Sequence, residues 1–423
     1  MTGAVDPRLR AGAGRARIAY PPTTWPLEGF TGEHDPLYAR VLVLAGTERV
    51  VLVVVDQTSL VDETIDEVRA TVSKATATDA SHVVVCVSHT FSAPHILARG
   101  ETPDPLAARM AEARDALLGA VEAAAADAAR TCRRATAAWS QDQCDVAVNR
   151  DVETREGWTI GADSRGTTDR RVLVLRIDDE AGEPIAILAN VAVQPSVMSD
   201  SVESDGSRRT TGDLAGAAVE VVEETFGGRA VAFFLLGAAG DQAPVVTAVR
   251  SVQDRTGSSF RLDAGGPAHL VATLLGERLG AVIVRAALAA DAEPGHPVVS
   301  LTHHELTAPG QEPLPRERIR PTRGHEFRSA PERRLPFSIL RVGDGVLAGV
   351  QPELNAMTGL GIAADSPWRF TGVVTMFNGG AKYAPDARSY DRFTYEALSS
   401  RYAKGTAERL SEAIAAALAD TPR

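Results

Sequence analysis

The chain has 423 residues, 44% hydrophobic and 23% charged, a balance that buries a large core and excludes disorder or a coiled coil. Lys and Arg number 44 against 55 Asp and Glu, a formal charge of −11, opposite in sign to the footprint of a nucleic-acid binder. Cys86, Cys132 and Cys144 form no C-x-x-C unit and cannot all pair within one chain, which points to a reducing compartment. No apolar segment follows the basic N-terminus, and no run is long and uncharged enough to span a bilayer. The expectation is a soluble, cytoplasmic protein with neither membrane nor nucleic acid as partner.

In chain order, residues 38–46 and 50–55 read as strands about the turn Gly46-Thr47-Glu48. Residues 60–75 suit a helix, and the β-branched run from His82 to Val87 a buried strand ending in SHTFSAPH, 88–95. Polar residues at such strand ends commonly bind ligands. Asp104-Pro105 opens an alanine-rich helix to about Arg130, with Asp as N-cap and Pro at the first helical position. Residues 141–169 are polar and read as irregular. Strands follow over 171–177 and 184–192, the second ending in Gln194-Pro195-Ser196. Asp213 reads as the cap of a helix ending near Gly227-Gly228, and 230–237 as a strand running into GAAGDQAP. Residues 268–290 read as an amphipathic helix, with a dent expected at Gly276 or Gly280. The Pro- and Arg-rich piece 306–336 reads as an exposed loop, or as a lid contacting an anion at the mouth of a site. Strands at 337–342, 346–350 and 371–377 and a last helix at 395–418 complete the pattern. The expected fold is α/β, mixed β-sheets flanked by helices, in one unit over 1–423.

Polar clusters fall after four apolar runs: Ser88-His89-Thr90 with His95, Gln194, Gly240-Asp241, and Glu353. A fifth holds Tyr383, Asp386, Tyr390, Asp391, Tyr395 and Glu396. Strand ends meeting at one crevice would assemble a site from these distant residues. A neutral His, a Glu and a Tyr can ligate zinc, with water in the fourth position. Zinc then lowers the pKa of that water and polarises a carbonyl, as amide or ester hydrolysis requires. The plainer reading is a hydrogen-bonded structural histidine and a tyrosine packed in the core. His303 and His304, adjacent on a strand, point to opposite faces and make a poor ligand pair. GAAGD lacks the G-K-[ST] of a P-loop, so it carries no nucleotide site.

The succession AGAGRARIAYPP, VLVVVDQTSL, SHTFSAP, VNR at 148–150 and D-x-x-VLVLRIDDEAGEPIAILANVAVQPS from Asp169, then GDLAG, LLGAAGDQAP, GVQPE and N-G-x-x-x-Y-x-P followed by YE resembles the catalytic domain of the neutral, non-lysosomal ceramidases. These are zinc-dependent amidases that cleave the N-acyl bond of ceramide. The resemblance implies that fold without the family's C-terminal immunoglobulin-like domain. It places zinc ligands on His89, Gln194, Glu353 and Tyr383, and catalytic roles on His89, Arg150, Asp241 and Tyr395. Gln194 stands where the family's A-x-H-P-x has histidine, Phe91 where H-T-H-S-G-P has its second histidine, and Ala243 where G-D-x-S-P has serine. An amide oxygen is a weaker zinc donor than imidazole, which makes His95 an alternative ligand. The resemblance implies an amidohydrolase acting on an acyl or amide bond of a small soluble metabolite, with zinc. The alternatives are a metal-independent acyl-transfer, condensation or cyclisation enzyme and a non-catalytic small-molecule binding protein. Ceramide is not the expected substrate, because no anchor or amphipathic patch gives access to a bilayer.

Overall fold

The structure, a computed structural model, describes residues 8–101, 104–253, 259–291 and 297–422. Its largest element is an eight-stranded mixed sheet. From one edge the order is Val231–Leu236, Pro184–Val191, Arg171–Asp179, Arg133–Gln143, Arg10–Arg17, Tyr38–Ala45, Arg49–Val55 and Val83–Val87. The valine and leucine runs have no polar face because both sides of this sheet are covered. Val41, Val43, Val51 and Val53 pack against the helices Asp62–Thr76 and Asp104–Arg130, in a core shared with Asp213–Thr225 and His269–Leu288. Leu42, Leu44 and Leu52 point the other way, into a core shared with Leu301, Leu340, Val342 and Leu347. Those residues belong to a four-stranded sheet, Val299–Gln311, Ser329–Val342, Gly345–Val350 and Phe370–Val374. The outer face of that second sheet is covered by Ala356–Ala364 and Thr406–Asp420. The layers thus run helix, sheet, sheet, helix. Among the described residues no helix is long and apolar enough to cross a membrane.

Three parallel neighbours aim their C-terminal ends at one region. Val83–Val87 runs parallel to Arg49–Val55, Val231–Leu236 to Pro184–Val191, and Phe370–Val374 to Gly345–Val350. Thr375 N bonds Leu236 O at 2.9 Å and Asn378 N bonds Val85 O at 2.7 Å, which ties these ends together.

Several expectations from periodicity need correction. Residues 141–169 are not irregular: they hold the hairpin Ala147–Glu153 and Trp158–Asp163, joined by Gln242–Pro244 in a three-stranded sheet. Its strand residues Asn149, Arg150 and Asp151 are buried against polar partners, so a hydrophobic pattern cannot reveal it. The segment 306–336 is loop only over 312–328, which carries most of its arginines and half of its prolines. Its two ends are strand, paired from Val299↔Val342 to Gln311↔Ser329 with a register shift between Ala308 and Gly310. The last helix is split into Tyr395–Ser399 and Thr406–Asp420, with Gly405 at φ 90° before the second. Asp213 is not an N-cap. It is the first residue of its helix, and its carboxylate accepts Met198 N at 2.9 Å, Val197 N at 3.2 Å and Leu214 N at 2.7 Å. The helix from Asp104 forms, but the side chain of Asp104 lies outside the described residues.

The expected dent in His269–Leu288 does not occur; the helix is continuous. Gly276 and Gly280 instead let it lie directly on Asp213–Thr225. A Cβ at Gly276 would sit 2.7 Å from Leu214 O, and one at Gly280 would sit 2.9 Å from Ala218 O. Gly276→Val should therefore cost about 1–3 kcal/mol by overpacking, read as a shift in denaturant midpoint. Gly119→Ala, where a Cβ meets nothing within 4 Å, should instead gain roughly 0.5–1 kcal/mol of helix propensity.

Candidate functional site

The strand Val83–Val87 delivers His89, whose backbone turns into the left-handed region at φ 65°. His89 Nδ1 lies 2.5 Å from Thr58 O, so this nitrogen must carry the proton. Nε2 is thereby directed at Glu353 Oε2, 3.5 Å away, an ion-pair separation without a close hydrogen bond. Phe91 stands edge-on to the imidazole at 4.8 Å. Glu353 follows Gly345–Val350 and is locked by its backbone: Glu353 N bonds Lys382 O at 2.8 Å and Ala384 N bonds Glu353 O at 2.9 Å. Those bonds set Tyr383 beside it.

Gln194, beyond the end of Pro184–Val191, bridges to the next group. Its Nε2 donates to Glu353 Oε2 at 2.5 Å, and its Oε1 accepts from an Arg150 terminal nitrogen at 2.8 Å. Arg150 comes from the polar strand Ala147–Glu153. Its Nε and other terminal nitrogen donate to Glu396 Oε1 at 2.8 and 2.6 Å. The guanidinium also faces the rings of Tyr383 and Tyr395 at 5.5 and 5.7 Å from their centroids. A continuous polar chain results: His89, Glu353, Gln194, Arg150, Glu396. Every member is buried, as is Tyr383, whereas Tyr395 is only half-buried.

Charge follows from these contacts. Burial pushes the Glu353 carboxyl up, but His89, Arg150 and Gln194 outweigh it and hold the group below the usual carboxylate range. Burial would also weaken Arg150, yet Tyr383, Glu396 and Glu353 keep it well above the ordinary arginine value. Burial, then Glu353, drive the Tyr383 phenol far upward, so it keeps its proton. Tyr395 is raised by burial, with Arg150 and Arg316 opposing.

His89, Gln194, Glu353, Tyr383, Arg150 and Tyr395 therefore lie together. Asp241 does not join the chain. Its carboxylate accepts Ala356 N at 2.8 Å and Gln242 Nε2 and Asn149 Nδ2 at 2.9 Å each, and its carbonyl takes Arg150 N at 2.8 Å. It thus holds the strand that bears Arg150, and burial lifts its carboxyl to about 6. His95 is at the surface, 3.0 Å from Glu28. His303 bonds Ser338 Oγ at 2.9 Å and Ser81 O at 2.8 Å, away from the site. Asp151, next to Arg150, was missed from sequence, and Glu396, named there in the fifth polar cluster, was given no role.

The arrangement bears directly on metal binding. Arg150 has only N–H groups, so it must face the oxygen of the Gln194 amide. The amide NH2 is then turned toward Glu353, and Gln194 presents donors where a metal needs a lone pair. Among the described residues no group of three or more His, Cys, Asp and Glu could hold a metal ion.

Asp151 is the next residue after Arg150 and is buried near Glu396 and Asp241. Burial, then the charges of Glu396 and Asp241, push its carboxyl from 3.8 to about 10. A raised folded-state value means that the unfolded chain ionises first, so this group's contribution is intact below about pH 4 and is lost as pH rises toward about 10. Asp151→Asn is neutral throughout that window. Its melting temperature relative to the parent should rise between about pH 5 and about pH 9; a constant offset would contradict the assignment.

No protein-family model and no curated protein matches the chain. Solved structures do match it, two ceramidases among them. One is the neutral ceramidase from Pseudomonas aeruginosa, with TM-score 0.71 and 17% identity over 97% of this chain and 74% of that one. The other is a ceramidase complexed with C2, with the same TM-score, identity and coverage. At 17% identity the likeness concerns the fold, and the chain has the α/β architecture of a neutral-ceramidase-like catalytic domain.

Proposed function

We propose that this protein is a metal-independent enzyme acting at the acyl carbonyl of a small molecule, by acyl transfer, condensation or cyclisation. The observation that carries this reading is the Arg150–Gln194–Glu353 chain, with separations of 2.8 and 2.5 Å. The zinc ion that the resemblance implies does not fit these residues. His89 and Glu353 remain as ligands, but Gln194 gives its oxygen to Arg150 and turns its NH2 donors toward Glu353. A catalytic zinc site needs three protein ligands.

The residues suit acid–base work instead. In its neutral form His89 Nε2 is the base: it takes a proton from the attacking group, and the imidazolium formed is stabilised by Glu353 at 3.5 Å. That proton then passes to the leaving group as its bond to the acyl carbon breaks. Tyr395, half-buried, and Tyr383 donate phenol protons to the carbonyl oxygen as negative charge grows there. Arg150 gives three of its five N–H groups to Gln194 and Glu396, so it positions Gln194 and sets the potential around both phenols. Asp241 positions Arg150 through the backbone. Ala243 leaves no hydroxyl in the Gln242–Pro244 strand, so that strand supplies no nucleophile, and we assign the attack to an amine or hydroxyl of the substrate. That requirement favours transfer or ring closure over hydrolysis. The site draws on residues from His89 to Glu396, so we take 1–423 as one working unit with a small molecule as its partner.

Purified with added zinc, the parent should hold far less than one zinc ion per chain, and chelators should leave its turnover unchanged. Gln194→His, which restores a lone pair at that position, should gain zinc. Tyr395→Phe should lower turnover on an acyl substrate by about 10²-fold without moving the melting temperature. Stoichiometric zinc in the parent, or rapid chelator-sensitive cleavage of ceramide, would contradict the proposal.

A further inference from the structure

We infer that the substrate carries a carboxylate remote from its reacting carbonyl, received at the entrance by Arg316 and Arg208. The loop 312–328 is fastened across the short helix Tyr395–Ser399. Leu314 N bonds Leu398 O at 2.8 Å, and Gln311 Nε2 bonds Ala397 O at 2.9 Å and Ser400 O at 3.1 Å. Farther along, Phe327 packs on Tyr390 and Phe393 with ring centroids 5.3 and 6.0 Å apart. Held at both ends, the loop carries Arg316 to the side of the site where Tyr395 is only half-buried, and the arginine's charge acts on both Tyr395 and Tyr383.

Arg316 reaches across to the loop that follows Gln194 and bonds Asp200 Oδ2 at 2.6 Å. On that side Arg208 donates to Phe91 O at 3.0 Å and lies 4.2 Å over the Phe30 ring. Phe91 is the ring that stands against His89. Arg261 donates to the carbonyl of Asp200 as well. Arg208 and Arg316 both act electrostatically on Asp200 and on each other. Glu28, the other acid near Arg208, is already bonded to His95. Arg316 thus bonds the Asp200 carboxylate, Arg261 its backbone carbonyl, and Arg208 acts on it through charge, in a chain whose net charge is −11.

The Arg316–Asp200 pair is open to solvent, with side-chain exposures of 71% and 48%. Such surface pairs contribute only about 0–1 kcal/mol, so an incoming carboxylate can replace Asp200 at little cost. Asp200 also shows the group that fits, since a guanidinium receives a carboxylate through paired N–H donors. A carboxylate held there places the remainder of a small acyl compound toward Tyr395 and His89. This inference takes only the direction of the reacting carbonyl from the proposed function.

Calorimetry with N-hexanoylglycine and its uncharged amide, N-hexanoylglycinamide, tests it. The acid should bind the parent roughly tenfold tighter than the amide, in line with one charge-assisted contact. Arg316→Ala should abolish that preference. Asp200→Asn should strengthen binding of the acid and leave the amide unchanged. Equal binding of the two compounds, no binding of the acid, or a preference that survives Arg316→Ala would overturn the inference. Arginine-dependent binding of the acid with no turnover of any acyl compound would support the entrance and count against the proposed chemistry alone.

Discussion

The Arg150 guanidinium is sealed beneath the strand ends at 6% exposure, and an arginine does not shed its charge at any working pH. A cation in that position must be neutralised where it lies, or the fold loses several kcal/mol. Glu396 supplies the opposite charge, Gln194 takes the third N–H group, and the tyrosine rings face the cation's flat surfaces. Each of these partners is then fixed in orientation. Gln194 turns its NH2 toward Glu353, Glu353 stays ionised, and its charge keeps the phenol of Tyr383 protonated. The polarity of the whole centre is thus dictated from one end of the chain of bonds.

That dependence fixes Gln194 in one orientation, with its oxygen toward Arg150 and its NH2 toward Glu353. A histidine at position 194 would instead present a ring nitrogen able to ligate a metal. Phe91 sets an aromatic ring edge-on to His89 at 4.8 Å, and the strand Gln242–Pro244 has no hydroxyl side chain.

Much of this was legible in the sequence, for physical reasons. The strands around Val41, Val53, Val85 and Ile187 are buried on both faces, so their apolar runs stand out. Polar residues just beyond them, His89, Gln194 and Glu353, lie at strand ends that the parallel pairs bring together. Other parts were hidden. The strand of Arg150 is built from buried polar residues, and periodicity is blind to it. Glu396 and Asp151 look like any surface acids until the fold buries them near the guanidinium. The hairpin Val299–Gln311 and Ser329–Val342 extends beyond the core, where nothing demands alternation, and its prolines and arginines suggested a loop. The break at Ser400 depends on a distant contact, since Ser400 Oγ donates to Tyr383 O at 2.8 Å.

The central claim is that a bonded amide occupies the position of a metal ligand. Crystals of the protein grown in excess zinc, with diffraction recorded on both sides of the zinc absorption edge, test it most directly. The account predicts no anomalous peak between His89 Nε2 and Glu353 Oε2, and Gln194 still in contact with both Glu353 and Arg150. A strong peak there, with Gln194 Oε1 turned away from Arg150 toward the ion, would contradict it.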